Sequence, residues 1–208
     1  MVLAAFVLLA AAGAQLASAH FGVEYPTWRA NTLSSSTNYS QWTQPCAGAP
    51  VLPDANRTDW PLKGGSLKLD LHHPWTYIFV NLGLGVNVTN FNYTLSEPFW
   101  NSTGNGTLCV KNLPLPADVP ATDGTKATIQ VVTLGESGNA LYNCADVTLR
   151  ANATALSDSE CVTDPGVSYV PVQQASTAKS AGTMASVDMV SLSAVAGLAI
   201  VFVFGMSL

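Results

Sequence analysis

The chain has 208 residues, a formal net charge of −5, and 8 Lys and Arg against 13 Asp and Glu. The basic residues are scattered and form no positive stripe, which argues against nucleic acid binding. Without the two apolar ends described below, about 160 residues remain, a length that suits one domain.

The first 19 residues form an apolar run without a charged side chain, and the run closes on Ala17-Ser18-Ala19. This pattern is typical of a secretory signal peptide with a small-residue cleavage site. The run is also too short for a comfortable membrane span. We expect cleavage between Ala19 and His20, so that His20 becomes the N-terminus of the mature protein.

The stretch from His20 to about Pro53 is rich in Ser, Thr, Asn and Pro and is predicted to be loop. Residues 66–73 (SLKLDLHH) then alternate strictly, which predicts a strand with one solvated face. The other face carries Leu67, Leu69, Leu71 and His73. After Pro74, residues 75–82 (WTYIFVNL) predict a second strand, rich in aromatic residues.

Residues 87–107 carry four glycosylation sequons and are predicted to be a loop. Residues 127–134 (ATIQVVTL) and 140–149 (ALYNCADVTL) predict a hairpin, with turn residues at 135–139 between them. No segment shows strong helical periodicity. Short strands with turn signals predict an all-β, antiparallel β-sandwich with long loops over residues 20–164.

The end of the chain predicts a surface anchor. Residues 165–182 are rich in Ser, Thr, Ala and Gln and are expected to form a flexible stalk. Residues 189–208 are apolar and uncharged, and no basic residue follows them. This order predicts a glycolipid (GPI) anchor at Ser180, with residues 183–208 removed. A retained membrane helix is the alternative, but such a helix normally has basic residues on its cytoplasmic side. We therefore expect an extracellular protein tethered to the cell membrane.

Cysteines and sequons agree with that location. An even number of cysteines in a secreted chain predicts two disulfides, with three pairings possible. The cysteines are Cys46, Cys109, Cys144 and Cys161. Seven N-x-[ST] sequons predict a glycoprotein. Their asparagines are Asn38, Asn56, Asn87, Asn92, Asn101, Asn105 and Asn152.

The chain has three histidines, His20, His72 and His73. An N-terminal histidine offers its α-amine and ring nitrogen as a chelate, and a second imidazole would complete a three-nitrogen set suited to Cu(II). His73 is the preferred second ligand, because it falls on the leucine face at a strand end. His72 is the alternative. A surface histidine pair that binds no metal is the competing interpretation.

Six segments occur in an order that points to a known family: HFGVEYPTWR (20–29), PCAG (45–48), NRTDWPLKGGSLKL (56–69), HHPW (72–75), ATIQVV (127–132) and LYNCADVTL (141–149). With them the mature domain resembles the fungal copper acquisition factors, secreted proteins similar to lytic polysaccharide monooxygenases. The resemblance implies an immunoglobulin-like sandwich and one Cu(II) ion held by a histidine brace of His20 and His73. It further implies Asp146 in the axial region. Ala30 and Ala47 stand where the family leads us to expect glycine.

The resemblance implies a function in copper capture and homeostasis, without cleavage of polysaccharide. The protein would be a monomer that passes copper toward a membrane importer. A copper monooxygenase acting on cell-wall glycans is the alternative. A wall glycoprotein without metal is the third hypothesis. The five tryptophans are expected in the core rather than on a sugar-binding face.

Overall fold

The structure, a computed structural model, describes residues 20–135 and 138–173. The predicted signal peptide, the anchor site at Ser180 and the apolar C-terminal tail lie outside these residues. The described chain consists of β-strands and one 3-10 turn at Asp54–Asn56. The strands are β1 Phe21–Tyr25, β2 Thr58–Pro61, β3 Gly64–Leu71, β4 Trp75–Leu84, β5 Tyr93–Thr94, β6 Trp100–Thr103, β7 Gly106–Pro114, β8 Lys126–Leu134, β9 Ala140–Arg150 and β10 Ser168–Pro171.

The strands form two sheets. One has the order β1-β3-β7, and the other has the order β10-β6-β4-β8-β9-β2, with β5 added beside β4. Neighbours pair antiparallel except β2, which runs parallel to β9. The predicted all-β class is confirmed, and the two sheets are consistent with a β-sandwich. Within the described ranges, no helix reaches the length and hydrophobicity that a membrane span requires.

Strand alternation builds the core between the sheets. On β3 the predicted leucine face is buried, and Leu67 and Leu69 are 0% exposed. The inward residues of β4 are Ile78, Val80 and Leu82, all fully buried. Trp60 is fully buried too, and its indole N–H donates to the carbonyl of Ser66 at 3.0 Å. A buried indole keeps a hydrogen-bond partner in this way.

The predicted strand over 75–82 and the predicted hairpin over 127–149 are confirmed. The predicted strand over 66–73 is found as β3, but it ends at Leu71, so His72 and His73 follow it. Three predicted irregular segments are wrong in part. Strand β1 lies in the first predicted loop, and β6 with the start of β7 lies in the predicted loop 87–107. Strand β10 lies within the predicted stalk. Strands β1, β6 and β10 have only four or five residues, too few for a clear local pattern, and they are stabilised by pairing with β3, β4 or β6.

The connection between β1 and β2, residues 26–57, packs against β9. Trp28 forms an isolated bridge with Ala145, and the amide of Arg29 donates to the carbonyl of Cys144 at 2.8 Å. A disulfide joins Cys46 to Cys144, and a second joins Cys109 to Cys161. The sequence had left this pairing open. Since connection and core cover opposite faces, β9 is buried from Asn143 to Leu149.

Candidate metal centre

His20 lies at the end of a paired strand. The antiparallel register of β1 and β3 sets Phe21 opposite Leu71, so His20 comes next to the segment that follows β3. That segment begins with His72 and His73. Together His20, Thr32, Leu33 and His72 line an open cavity of ≈ 260 Å³. The register therefore brings His72, which is 52 positions away in the sequence, to the same cavity as His20.

The environment of the His20 imidazole favours its neutral form over its charged form. Burial lowers its pKa, and the charge of His72 lowers the pKa further. A neutral imidazole is the form that binds a metal ion. The electrostatic environment of His20 therefore fits a copper ligand at neutral pH.

The two adjacent histidines differ in environment. The His72 side chain is 44% exposed, and its Nε2 lies 2.8 Å from Oδ2 of Asp70. His73 is buried, with 8% of its surface exposed. Its ring lies against Gly135, where an added Cβ would sit 3.5 Å from both Cε1 and Nε2. A buried ring held by packing is better oriented for coordination than an exposed one.

Side-chain amides hold the peptide that follows His20. Gln41 is 0% exposed, and its Oε1 accepts from the amide of Phe21 at 3.1 Å. Its Nε2 donates to the carbonyl of Phe21 at 2.8 Å and to the hydroxyl of Thr32 at 2.7 Å. The same carbonyl accepts from Nδ2 of Asn143 at 2.9 Å, and Thr32 donates to Oδ1 of Asn143 at 3.0 Å. We call Gln41, Thr32 and Asn143 the amide clamp.

The sequence interpretation missed the amide clamp. Gln41 lies in a segment predicted to be loop, and its partners are 9 and 20 positions away. The sequence gives one weak indication of Asn143, because a polar amide occupies an inward position of a predicted strand, where an apolar residue is expected. Its inward neighbours, Leu141 and Ala145, are buried. A buried amide needs hydrogen-bond partners, and only the fold supplies them.

Asp146 lies elsewhere on β9. It is three residues from Asn143, so the two side chains point to opposite faces of the strand. Its Oδ1 accepts from Arg29 at 2.9 Å and from Thr128 at 2.7 Å. Its Oδ2 accepts from Nε of Arg29 and from the amide of Leu52, both at 2.9 Å. Among residues 20–135 and 138–173, no three His, Cys, Asp or Glu side chains are grouped to hold a metal ion. The structure thus brings the histidine segments together but does not add Asp146 to them.

An exposed tryptophan borders His20. Trp42 is 49% exposed, and its ring centroid lies 6.4 Å from that of His20 in an edge-on arrangement. The prediction of a core position is therefore wrong for Trp42, whereas it is confirmed for Trp60 and Trp100. The disulfide at Cys46 holds this part of the connection near β9.

The sequence pattern of a family described as copper acquisition factor BIM1-like matches residues 18–166. The chain belongs to this family. The BIM1-like match spans every described strand except β10, including the disulfides, the amide clamp and the three histidines. The family is one of copper acquisition factors rather than enzymes, and the resemblance found in the sequence is confirmed.

Relatives of this BIM1-like chain occur in several fungi. The lytic polysaccharide monooxygenase-like protein ham-7 of Neurospora crassa is 37% identical over 158 residues, covering 68% of each chain. A lytic polysaccharide monooxygenase-like protein of Emericella nidulans is 31% identical over 200 residues, covering 80% of this chain and 81% of its own. The copper acquisition factor BIM1 of Cryptococcus neoformans var. grubii is 27% identical over 164 residues, covering 71% of this chain and 68% of its own.

Proposed function

We propose that this protein captures copper outside the cell at a site built on His20 and His73, and passes the ion toward a membrane importer. In the proposed site the α-amine and imidazole of His20 chelate Cu(II), and the imidazole of His73 supplies the third nitrogen. The observation that carries the proposal is the β1–β3 register, which sets His20 beside the His72-His73 segment. Three nitrogen donors suit Cu(II).

The site requires a free amine on His20, and therefore cleavage after Ala19. The amide clamp supports this arrangement, because it fixes both the N–H and the carbonyl of Phe21. With the next peptide fixed, the amine and the ring of His20 have few bonds left to rotate. Preorganisation of this kind lowers the entropy lost when a ligand binds.

The proposed ligand set includes Asp146 only if its carboxylate exchanges a present partner for the metal. Arg29, Thr128 and the Leu52 amide occupy both oxygens. Coordination by Asp146 therefore stays a prediction, whereas its contact with Arg29 is part of the fold. The two histidines carry the proposal without it.

A tether would suit capture and transfer. If the chain is held at the membrane through Ser180, the bound ion stays within reach of an importer in the same membrane. Attachment raises the effective concentration that such a partner meets. The copper ion is then cargo, and the protein catalyses no reaction.

The decisive experiment uses protein secreted with its own leader, with the N-terminal residue established by mass spectrometry. Calorimetry with Cu(II) should give one tight site. Loss of a residue that only hydrogen-bonds to a metal ligand typically weakens metal binding by roughly 10–100-fold. His20→Ala and His73→Ala should each weaken copper binding by more than that. His72→Ala is the matched control and should lose much less affinity than either of the other two variants. Unchanged affinity in both His20→Ala and His73→Ala would eliminate the site, and a loss in His72→Ala alone would move the ligand by one residue.

Trp42 provides an independent readout. Its ring lies close to His20, so bound Cu(II) should quench its fluorescence. The quenched component should disappear in Trp42→Phe, while the calorimetric affinity stays the same. Quenching that persists in Trp42→Phe would place the ion elsewhere.

A copper monooxygenase is the second candidate, and the exposed ring of Trp42 beside His20 is the observation that favours it. Aromatic rings at the rim of a metal site can hold a sugar. Incubation of the copper-loaded protein with cell-wall glycans and a reductant tests it. Release of oxidised oligosaccharides above the level given by His20→Ala would establish an enzyme.

A further inference from the structure

A row of aromatic rings lies on the outer face of the larger sheet. Trp75, Tyr77 and Phe79 alternate along β4 with the buried residues Thr76 and Ile78 and so point away from the core. Trp75 and Tyr77 meet edge to face, with centroids 5.5 Å apart. Phe99, just before β6, meets Tyr77 edge to face at 5.5 Å and stacks on Phe79 at 4.6 Å. These four rings are the aromatic row.

The aromatic row is only half covered. All four rings are partly exposed, and Val170 on the neighbouring strand β10 is 58% exposed. A contiguous apolar surface on a folded protein normally marks a place where something else packs. The row begins at Trp75, two residues after His73, but none of its four rings lines the cavity beside His20 or belongs to the proposed copper ligands.

One sequon opens onto this face. Asn101 on β6 pairs with Tyr77, and Thr103 pairs with Trp75. Because side chains alternate along a strand, Phe99, Asn101 and Thr103 project to the same side as the rings. Asn101-Ser102-Thr103 is an N-x-[ST] sequence without proline, the acceptor for N-glycosylation. The acceptor amide therefore rises from the middle of the aromatic row.

Asn101 differs from the other sequon residues. Among the seven sequon asparagines Asn101 is half-buried, whereas the other six are exposed. Its Oδ1 is buried and has no hydrogen-bond partner in the described structure. A buried acceptor without a partner is unfavourable for the unmodified protein. The two facts set Asn101 apart from the other six acceptor residues.

We propose that Asn101 carries an N-glycan and that its first sugar rings cover the aromatic row. In the modification, Nδ2 of Asn101 forms a bond to C1 of N-acetylglucosamine and loses a proton. The bond from C1 to a lipid-linked diphosphate donor breaks, and the lipid diphosphate leaves. The C–H face of the sugar then packs on Phe99 and Tyr77, while its hydroxyl groups remain in water. The occupant of this face is thus the chain's own glycan.

The proposal explains why the face combines apolar rings with an acceptor site. A pyranose ring has one apolar side and many polar edges, so it covers aromatic carbon without leaving hydroxyl groups unsolvated. Because the glycan is covalently attached, it pays no association entropy when it packs. Its contribution is stability of β4 and β6.

The test uses protein secreted from a eukaryotic host that attaches N-glycans. Glycopeptide mass spectrometry should find Asn101 modified. Asn101→Gln and Thr103→Ala, which remove the sequon in different ways, should each lower the melting temperature by about 2–4 °C. Asn152→Gln is the matched control at an exposed sequon and should leave the melting temperature unchanged.

A double-mutant comparison identifies the contact. In Phe99→Leu, removal of the Asn101 glycan should cost clearly less than it does beside the native ring. Trimming to a single N-acetylglucosamine with an endoglycosidase should keep most of the stabilisation. Copper binding should not change in any of these variants, so the result is independent of the proposed copper function.

Four outcomes overturn the proposal. The first is an unmodified Asn101 in secreted protein. The second is a modified Asn101 whose loss has no more effect than the loss at Asn152. The third is a stabilisation that is the same in Phe99→Leu, which would mean that the sugar does not lie on the ring. Self-association of the glycosylated protein that Phe99→Leu abolishes would assign the face to a second copy instead.

Discussion

At the scale of single residues, two polar groups on β9 have different functions although they are three positions apart. Asn143 faces the interior and contacts the carbonyl of Phe21. Asp146 faces the connection 26–57 and holds Arg29. Side chains alternate between the two faces of a strand, so residues three positions apart point to opposite faces. The sequence LYNCAD thus contains Asn143, which contacts the residue next to His20, and Asp146, which holds the connection 26–57 through Arg29.

Gln41→Leu tests the amide clamp. The change removes three hydrogen bonds and leaves both polar groups of Phe21 with fewer partners, so we expect a loss of stability of about 1–3 kcal/mol. Copper affinity should fall by about tenfold, because the chelating residue next to Phe21 becomes less ordered. The measurements are chemical denaturation and calorimetry well below the melting temperature.

The control for Gln41→Leu is Ser66→Ala. Ser66 is also 0% exposed and hydrogen-bonded, but its partners are Lys111 and Leu156. This variant should lose stability and keep its copper affinity. Equal losses of affinity in both variants would mean that stability in general, and not the clamp, controls copper binding.

Asp146→Asn tests the second polar group. The Arg29 side chain is only 5% exposed, and it would lose the carboxylate that neutralises it. Breaking a buried pair on one side typically costs about 3–5 kcal/mol. We therefore expect a marked decrease in denaturation midpoint, measured with denaturant.

Arg29→Met is the partner variant, since it breaks the same pair and keeps the carboxylate. If Asp146 acts only through Arg29, both variants should bind copper with similar affinity. An affinity deficit in Asp146→Asn that Arg29→Met does not share would establish Asp146 as a ligand.

At the scale of elements, the sequence predicted those strands that carry their own pattern. The leucines of β3 and the paired apolar runs of β8 and β9 alternate over eight or more residues, and their strands were found. Strand β1 has five residues and lies in a polar stretch, so its pairing with β3 is visible only in three dimensions. The same limit applies to the candidate site. His20 and His73 could be singled out by residue type, whereas Gln41 and Asn143 depend on contacts that span 20 and 122 positions.

The connection 26–57 contains a strained turn at one of the two alanines that stand where glycine was expected. Ala47 is 0% exposed and has a φ of 59°, and Gly48 follows with a φ of 73°. A left-handed conformation costs a non-glycine residue roughly 1–2 kcal/mol. Ala47→Gly should therefore stabilise the protein by about 0.5–1 kcal/mol, after allowance for the entropy of the more flexible unfolded chain. Thermal denaturation would show it, and a lower melting temperature would contradict the strain.

At the scale of the whole molecule, two disulfides stabilise different parts. Cys46–Cys144 ties the connection to β9, and Cys109–Cys161 ties the C-terminal segment to β7. Removal of either pair by double alanine substitution should cost about 2–5 kcal/mol. Only the loss of Cys46–Cys144 should lower copper affinity, because Gln41 of the amide clamp lies in the segment that it holds.

The variant without Cys109 and Cys161 is the internal control, because it loses a disulfide that does not hold the connection 26–57. Denaturation gives the stability of both variants, and calorimetry with Cu(II) gives the affinity. If copper affinity falls in both variants, or in neither, then the connection 26–57 has no specific effect on the copper site.

The Cys46–Cys144 bond also affects whether the protein can bind copper inside the cell or only outside it. Glutathione and thioredoxin keep thiols reduced in the cytosol, so this bond forms only in an oxidising compartment. Until it forms, nothing covalent holds the segment that positions Phe21, and the proposed chelate is incomplete. The protein would thus be a poor competitor for the metal already inside the cell and a good one outside it. A single covalent bond would in this way give the direction of copper flow.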